Sequence, residues 1–356
     1  MIGSKLNTVY LVGNGFDLSM GLNTLPRVFL QAFVDEYSNG GGHDTLTTNV
    51  VAFARDIQDD GVDKWADFEI KIGKYASKFK EDQAENYITR VAALRAFLGE
   101  WLQKEQSRAD ESFIKANSMD CIQSLSGYRS GLRPLKRRKL QKLRDKHSGE
   151  HWYQDLICFN YTDVLERMRS AAGGENADIA SLEGNTHALI GRFVYAHDSL
   201  KDKIVCGVND ISQIDNDAFR EDSYVTSNLV KGDMEADVIA NDLDMQARAI
   251  IEEANVIAVF GMSFGASDRR WWEQIGRKLI ENEETILVLF DHEMITAEQK
   301  MEQMDLYKRN KAVISTFASA GGIESMSDDV KDRIIVAPSN LLFPIKQPIA
   351  TDAERY

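Results

Sequence analysis

The chain is poor in the residues that staple, break or anchor a fold. Its 356 residues include three cysteines, five prolines and six histidines. Cys121, Cys158 and Cys206 are odd in number, far apart and without a Cys-x-x-Cys pair, which excludes a disulfide framework and a zinc ribbon. Cys158 and Cys206 stand in apolar runs, where a cysteine behaves as a small buried hydrophobe. So few prolines argue against long linkers and against disorder. His43, His147, His151, His187 and His292 fall in polar segments with no metal-ligand spacing, so no metal is expected. No apolar run reaches the ~18 residues of a membrane span, and the first residues show neither an h-region nor a cleavage site. A cytoplasmic protein without membrane contact is the expectation. The formal net charge of −14 repels nucleic acid on average. Arg129 to Lys146 runs the other way, with nine Lys or Arg and a single Asp. It reads either as a phosphate-backbone contact or as the solvated face of a helix. The second is favoured, since no aromatic residue is interleaved for base stacking.

The composition, 43% hydrophobic and 28% charged, suits a globular protein. Five apolar runs read as buried strands: 8–12, 155–159, 192–196, 256–260 and 285–290, with weaker ones at 204–208 and 333–336. Most lack polar alternation, as central strands covered on both faces do. Helical patterns at 25–37, 163–172, 234–254, 268–280 and 293–309 separate many of them. This alternation predicts an α/β fold with a mostly parallel sheet. Between 45 and 150 the rhythm changes. Trp65, Phe68, Ile72 and Tyr75, then Val91, Leu94, Phe97, Leu98 and Trp101, recur at helical steps. The expectation is a core of residues 1–44 and 151–356 carrying a helical insertion, 45–150.

Four segments could carry chemistry, each where an apolar run stops. Gly13-Asn14-Gly15-Phe16-Asp17 follows the first strand; a Gly-x-Gly turn there lets backbone approach a pyrophosphate, although the third glycine of the dinucleotide fingerprint is replaced by Leu18. The alternative is a tight turn with Asp17 as helix cap. Asn160, in Phe159-Asn160-Tyr161-Thr162-Asp163, sits at the carboxyl edge of a strand, where its carboxamide can both donate and accept. Thr162 or Asp163 caps the helix that follows. His197, just past Tyr195-Ala196, could serve as a general base or be purely structural. Gly261-Met262-Ser263-Phe264-Gly265, followed by Asp268, is a second strand-to-helix turn. Its G-x-S-x-G spacing also admits a hydrolase reading with Ser263 as nucleophile and His292 as base, against which no HGGG-type oxyanion loop occurs upstream.

Taken in order, these segments resemble the AbiH family of bacteriophage abortive-infection proteins: Gly13-Asn14-Gly15-Phe16-Asp17, Trp65-Ala66-Asp67-Phe68-Glu69, Phe159-Asn160-Tyr161-Thr162 with Glu166, His197, and Gly261-Met262-Ser263 with Asp268. More distantly the set is similar to the sirtuin-like NAD-binding fold. That resemblance implies a Rossmann-like core in which Gly13 and Gly15 hold a pyrophosphate. Asn160 and His197 would contact the nicotinamide-side ribose, and Gly261 with Ser263 the other side. Asn14, Phe16, Asp17 and Asp268 join the nucleotide-binding set, and Asn160, His197 and Asp163 the catalytic one. Two departures stand beside the reaction centre: Asp198 follows His197 where the pattern has glycine, and Thr162 stands where it has aspartate.

The resemblance implies an antiphage effector that binds NAD as substrate or ligand and hydrolyses its nicotinamide N-glycosidic bond. Asp17, Asp163 and Glu69 are candidates for stabilising positive charge at the anomeric carbon. Two alternatives stay open: a non-catalytic nucleotide sensor that presents its helices to a partner, and a nucleic-acid-targeting toxin using residues 129–146. A phage-derived trigger and a homo-oligomer are the expected protein partners.

Overall fold

The computed structural model describes residues 5–39, 45–59, 65–183, 185–196, 206–208, 210–234, 238–265, 268–293, 303–323, 325–346 and 348–349. Among the described residues, seven strands form one sheet: β1 (Leu6–Val12), β2 (Trp152–Cys158), β3 (Asp178–Leu182), β4 (Thr186–Tyr195), β5 (Val256–Phe260), β6 (Ile286–Asp291) and β7 (Ile334–Pro338). Their order is β3-β4-β2-β1-β5-β6-β7, and every pairing is parallel except β3 with β4. The expected α/β fold with a mostly parallel sheet is therefore found. β1, β5 and β7 are buried along their whole length, as strands covered on both faces are.

Helices α1 (Gly15–Met20), α2 (Pro26–Asn39), α3 (Thr45–Asp59), α4 (Trp65–Tyr75), α5 (Ala84–Ser107), α6 (Glu111–Gly127) and α7 (Pro134–Lys146) lie between β1 and β2. α8 (Val164–Ala171) precedes β3. Between β4 and β5 come α9 (Asp217–Glu221), α10 (Ser223–Leu229), α11 (Lys231–Met234) and α12 (Val238–Glu253). α13 (Arg269–Glu281) precedes β6, and α14 (Gln303–Ala320) and α15 (Asp328–Asp332) precede β7. Local chemistry sets several of these ends. Asp110 caps α6 by accepting from Phe113 N at 2.8 Å, and Pro134 opens α7, where its missing N–H is no loss.

Period-2 alternation along the strands sends side chains to two cores. Val256, Ala258 and Phe260 join Tyr10, Trp152 and Ile190 on one face, against Ile122 and Leu125 of α6, Leu140 of α7 and Leu165 of α8. Ile257 and Val259 join Leu11 and Leu287 on the other, under Ile250 of α12, Trp271 and Trp272 of α13 and Phe317 of α14. A third core is almost wholly helical: Phe29, Phe53, Phe68, Tyr87 and Leu98 enclose Cys206, Val208 and Phe219.

The sequence reading differs at identifiable places. β3 was not anticipated, because Asp178–Leu182 is a polar edge strand without an apolar run. The run expected as a strand at 204–208 lies partly outside the described residues; within it Val208 makes only an isolated bridge to Val230, the segment being buried by helices. The helix expected at 293–309 is described from Gln303, and it continues to Ala320.

Two turns interlock where β1 and β5 end. Gly13 N donates to Phe260 O and Gly15 N to Gly261 O, both at 2.9 Å. A Cβ on Gly15 would lie 2.4 Å from Gly261 Cα, and Gly261 itself has φ +67°. Beneath them Phe343, held at φ 53°, sets its ring edge-on to Phe16 and to Phe260, each at 5.0 Å. Beyond it, Ile349 N donates to Met20 O at 2.9 Å, tying this segment to the end of α1. Gly15→Ala must force the turns apart and should cost about 1–3 kcal/mol. Gly127→Ala, at a helical position with no atom within 4 Å of the new Cβ, should gain up to ~1 kcal/mol. Urea denaturation of the two variants checks both signs.

Candidate functional site

The carboxyl ends of β2, β1, β5 and β6 open on one cavity of about 740 Å3. That is in the range of small-molecule and cofactor sites. Gly13, Asn14, Gly15, Asp17, Asn160, Gly261, Ser263 and Asp268 all line it, so the structure brings together residues drawn from three of the four segments. His197 lies outside the described residues. Phe16 does not line the cavity; its ring is fully buried in the core under the turns, because the residue after Gly15 must turn inward to start α1. Asp163 also stands apart. It occupies the N-cap position of α8, accepts no capping bond there and faces Arg167 at 3.6 Å.

At the β1–β2 end, Asp17 is buried and accepts from Thr162 Oγ1 at 2.8 and 3.0 Å and from Asn160 Nδ2 at 3.2 Å. Thr162, read as a cap, is thus a holder of Asp17. Burial raises the Asp17 carboxyl from 3.8 to about 7, opposed by its Thr162 and Asn160 donors. Asn160 is 6% exposed, and its Oδ1 has no hydrogen-bond partner among the described residues. Its donor is engaged by Asp17, and its acceptor is left for whatever fills the cavity.

A second charged cluster enters from the helical side. Lys231, 3% exposed at the start of α11, touches both oxygens of Glu69 on α4 at 2.8 and 2.9 Å. Asp268, across the cavity, acts on both. Burial pushes Glu69 up while Lys231 pulls it down; Glu69 and Asp268 together hold Lys231 above the ordinary lysine range. With the ammonium in contact with both oxygens, the ionised pair is the state the geometry favours. Lys231 was missed in the sequence: no local motif marks it, and its partner is 162 residues away.

The β6 end carries Asp291, His292 and Glu293, with Arg309 of α14. Ser263 and His292 both line the cavity, yet no hydrogen bond joins them among the described contacts. The interlocked turns also change the reading of the glycines. The N–H groups of Gly13 and Gly15 are engaged by the β5 turn, and that of Phe16 by Gly13 O at 2.9 Å. Glycine is required here because two backbones meet. The basic stretch 129–146 is largely used within the protein. Arg129 lies 4.1 Å over the Trp152 ring, and Lys136 and Lys139 reach carbonyls beside β7. Arg144 donates to Glu150 O, and Lys146 pairs with Glu284.

With the cavity at the sheet's carboxyl edge in view, comparison with known proteins is informative. The family model for bacteriophage abortive infection AbiH matches residues 9–290. The chain belongs to the AbiH family. Its membership gives it a role in abortive infection, the antiphage response that the family's description names. None of the curated proteins compared with it matches. In this AbiH-family chain the match runs from β1 to the end of β6, the stretch that supplies most of the cavity wall. Among the described residues no helix is long and apolar enough to cross a membrane.

Two outcomes are expected from this geometry. An acid whose folded value lies above its unfolded value keeps its proton where the unfolded chain has lost it. Stability from Asp17 is therefore full below about pH 4, falls as pH rises to about 7, and is flat beyond. Asp17→Asn should remove up to about 4 kcal/mol of that loss, read as a gap between variant and parent that opens across this window in urea denaturation. Lys231→Met strands Glu69 and should cost about 3–5 kcal/mol at pH 8, less at pH 5; adding Glu69→Gln should restore most of it. A double-mutant cycle measures the coupling.

Proposed function

We propose that this AbiH-family protein binds a nicotinamide dinucleotide in the cavity and hydrolyses its N-glycosidic bond, as the effector step of abortive infection. The observation that carries the reading is the unpartnered Asn160 Oδ1, buried at the carboxyl edge of the sheet beside the raised acid Asp17. A carbonyl oxygen so placed suits a ribose hydroxyl. The strand order supports a Rossmann-like core. With antiparallel β3 set aside and the six parallel strands renumbered along the chain, it reads 3-2-1-4-5-6, the order of dinucleotide-binding sheets. The distant similarity to the sirtuin-like fold belongs to the same proposal.

Nicotinamide leaves as a neutral molecule from a cationic glycoside, so no acid is needed to expel it. As its C–N bond breaks, positive charge grows on the ribose. Asp17, Glu69 and Asp268 supply fixed negative charge at that end, the first two from buried positions. Asn160 holds the ribose hydroxyl. Water forms the new C–O bond, and its proton passes to Asp17, whose affinity near pH 7 suits a base. His197, directly after Ala196, is the second candidate for that proton. A phage-derived trigger and self-association belong to this reading as its regulation.

A second reading, a nucleotide sensor, is favoured by one feature. Glu69 and Lys231 reach the cavity from elements of the helical core, so an occupant would bear directly on those helices. Incubation of the full chain with NAD+, following nicotinamide and ADP-ribose by chromatography with binding by calorimetry, separates the two. Cleavage that falls at least ~100-fold in Asn160→Ala and Asp17→Asn supports the hydrolase. Binding with no product supports the sensor, and absence of both rejects the nucleotide reading.

A further inference from the structure

The far end of the cavity has a chemistry of its own, and it bears on which dinucleotide enters. This inference rests on the dinucleotide reading above. In the sheet, β2, β1, β5 and β6 are successive neighbours, so three strand spacings separate Asn160, after β2, from Asp291, at the end of β6. At ~4.8 Å each, that is about 14 Å. Polar groups face the cavity at both extremes. Such a span suits a ligand with two nucleoside heads joined through phosphates better than a single nucleoside.

At the β6 extreme, Arg309 is held on all three nitrogens. Nε and Nη2 donate to the two oxygens of Asp291 at 2.7 Å each, and Nη1 meets Glu293 Oε2 at 2.7 Å. Asp291 is buried, 8% exposed, which strengthens that grip. These bonds occupy three of the guanidinium's five N–H groups and neutralise its charge, so it offers a phosphate monoester little net attraction. Two carboxylates against one cation leave this end net negative. Each carboxylate oxygen still has lone-pair capacity to accept from a hydroxyl. An acidic group beside a ribose accepts its 2′-hydroxyl and repels a 2′-phosphate, whereas an unengaged arginine does the reverse.

We infer that Asp291, Glu293 and the Arg309 they hold make the β6 end of the cavity a reader of an unphosphorylated ribose, so that the dinucleotide is NAD+ and not NADP+. The test is calorimetric titration of the full-length chain with NAD+ and NADP+ separately, at fixed ionic strength. NADP+ should bind at least about 30-fold more weakly. Glu293→Gln removes one repelling charge and releases Nη1. Because the Glu293 side chain is 70% exposed, its replacement does not put folding at stake. Asp291→Asn removes the other charge, with circular dichroism to verify folding. Each variant should narrow the ratio between the ligands, by about three-fold or more, through tighter NADP+ binding. Equal binding of the two dinucleotides to the parent, or a ratio that Glu293→Gln leaves unmoved, overturns this inference and leaves the nucleotide reading standing. Binding of neither overturns both.

Discussion

Everything at the carboxyl edge of this sheet depends on two peptide turns touching. Gly15 Cα rests on Gly261, and two backbone hydrogen bonds, from Gly13 and Gly15 to Phe260 and Gly261, close the contact. With side chains at those positions, the ends of β1 and β5 would stand apart and the wall beneath the cavity would open. The contact also decides what the glycines are for. A Gly-x-Gly after a first strand suggests backbone laid against a ligand's phosphates, but here most of the turn's donors are already engaged by protein. Recognition must then rest on side chains arranged around the turns: Asp17 and Asn160 on one flank, Asp291 and Arg309 on the other.

The electrostatics of the site follow from burial. Asp17 is taken out of water with only uncharged donors, so burial wins and its proton affinity rises. Glu69 is equally buried but has an ammonium against both oxygens. One cavity thus holds two carboxyls that burial raises alike, the first eased only by uncharged donors and the second by an ammonium. A buried ion pair such as Glu69–Lys231 gives little net stability, since desolvation offsets the attraction. Its position at the rim of the helical core, facing the cavity, is better explained by the site than by the fold.

Much of the framework was legible along the chain because burial on both faces leaves a signature. β5 matches its apolar run residue for residue, and Asn160 and Gly261 could be placed at strand ends because those runs stop just before them. β3 was invisible because an edge strand needs no apolar run. Thr162 and Asp163 illustrate a different limit. Both have the chemistry of a helix cap, and only the approach of Asp17, 145 residues away from Thr162, shows that the first holds an acid while the second lies outside the cavity. Phe16 was miscast for a related reason. Adjacency to a ligand-facing glycine says nothing about which way the next side chain turns. Lys231 lies beyond any local reading, since its meaning comes entirely from Glu69.

The segment carrying Phe343 and Ile349 adds a temporal dimension. The ring that supports Phe16 and Phe260, and the bond that fastens the end of α1, come from residues more than 320 positions after the turn they stabilise. The ribosome makes β1 and its glycine turn more than 320 residues before the wedge beneath them. Through that interval a nascent chain carries an unfinished cavity floor, and the site cannot close until the late segment docks under the early turn.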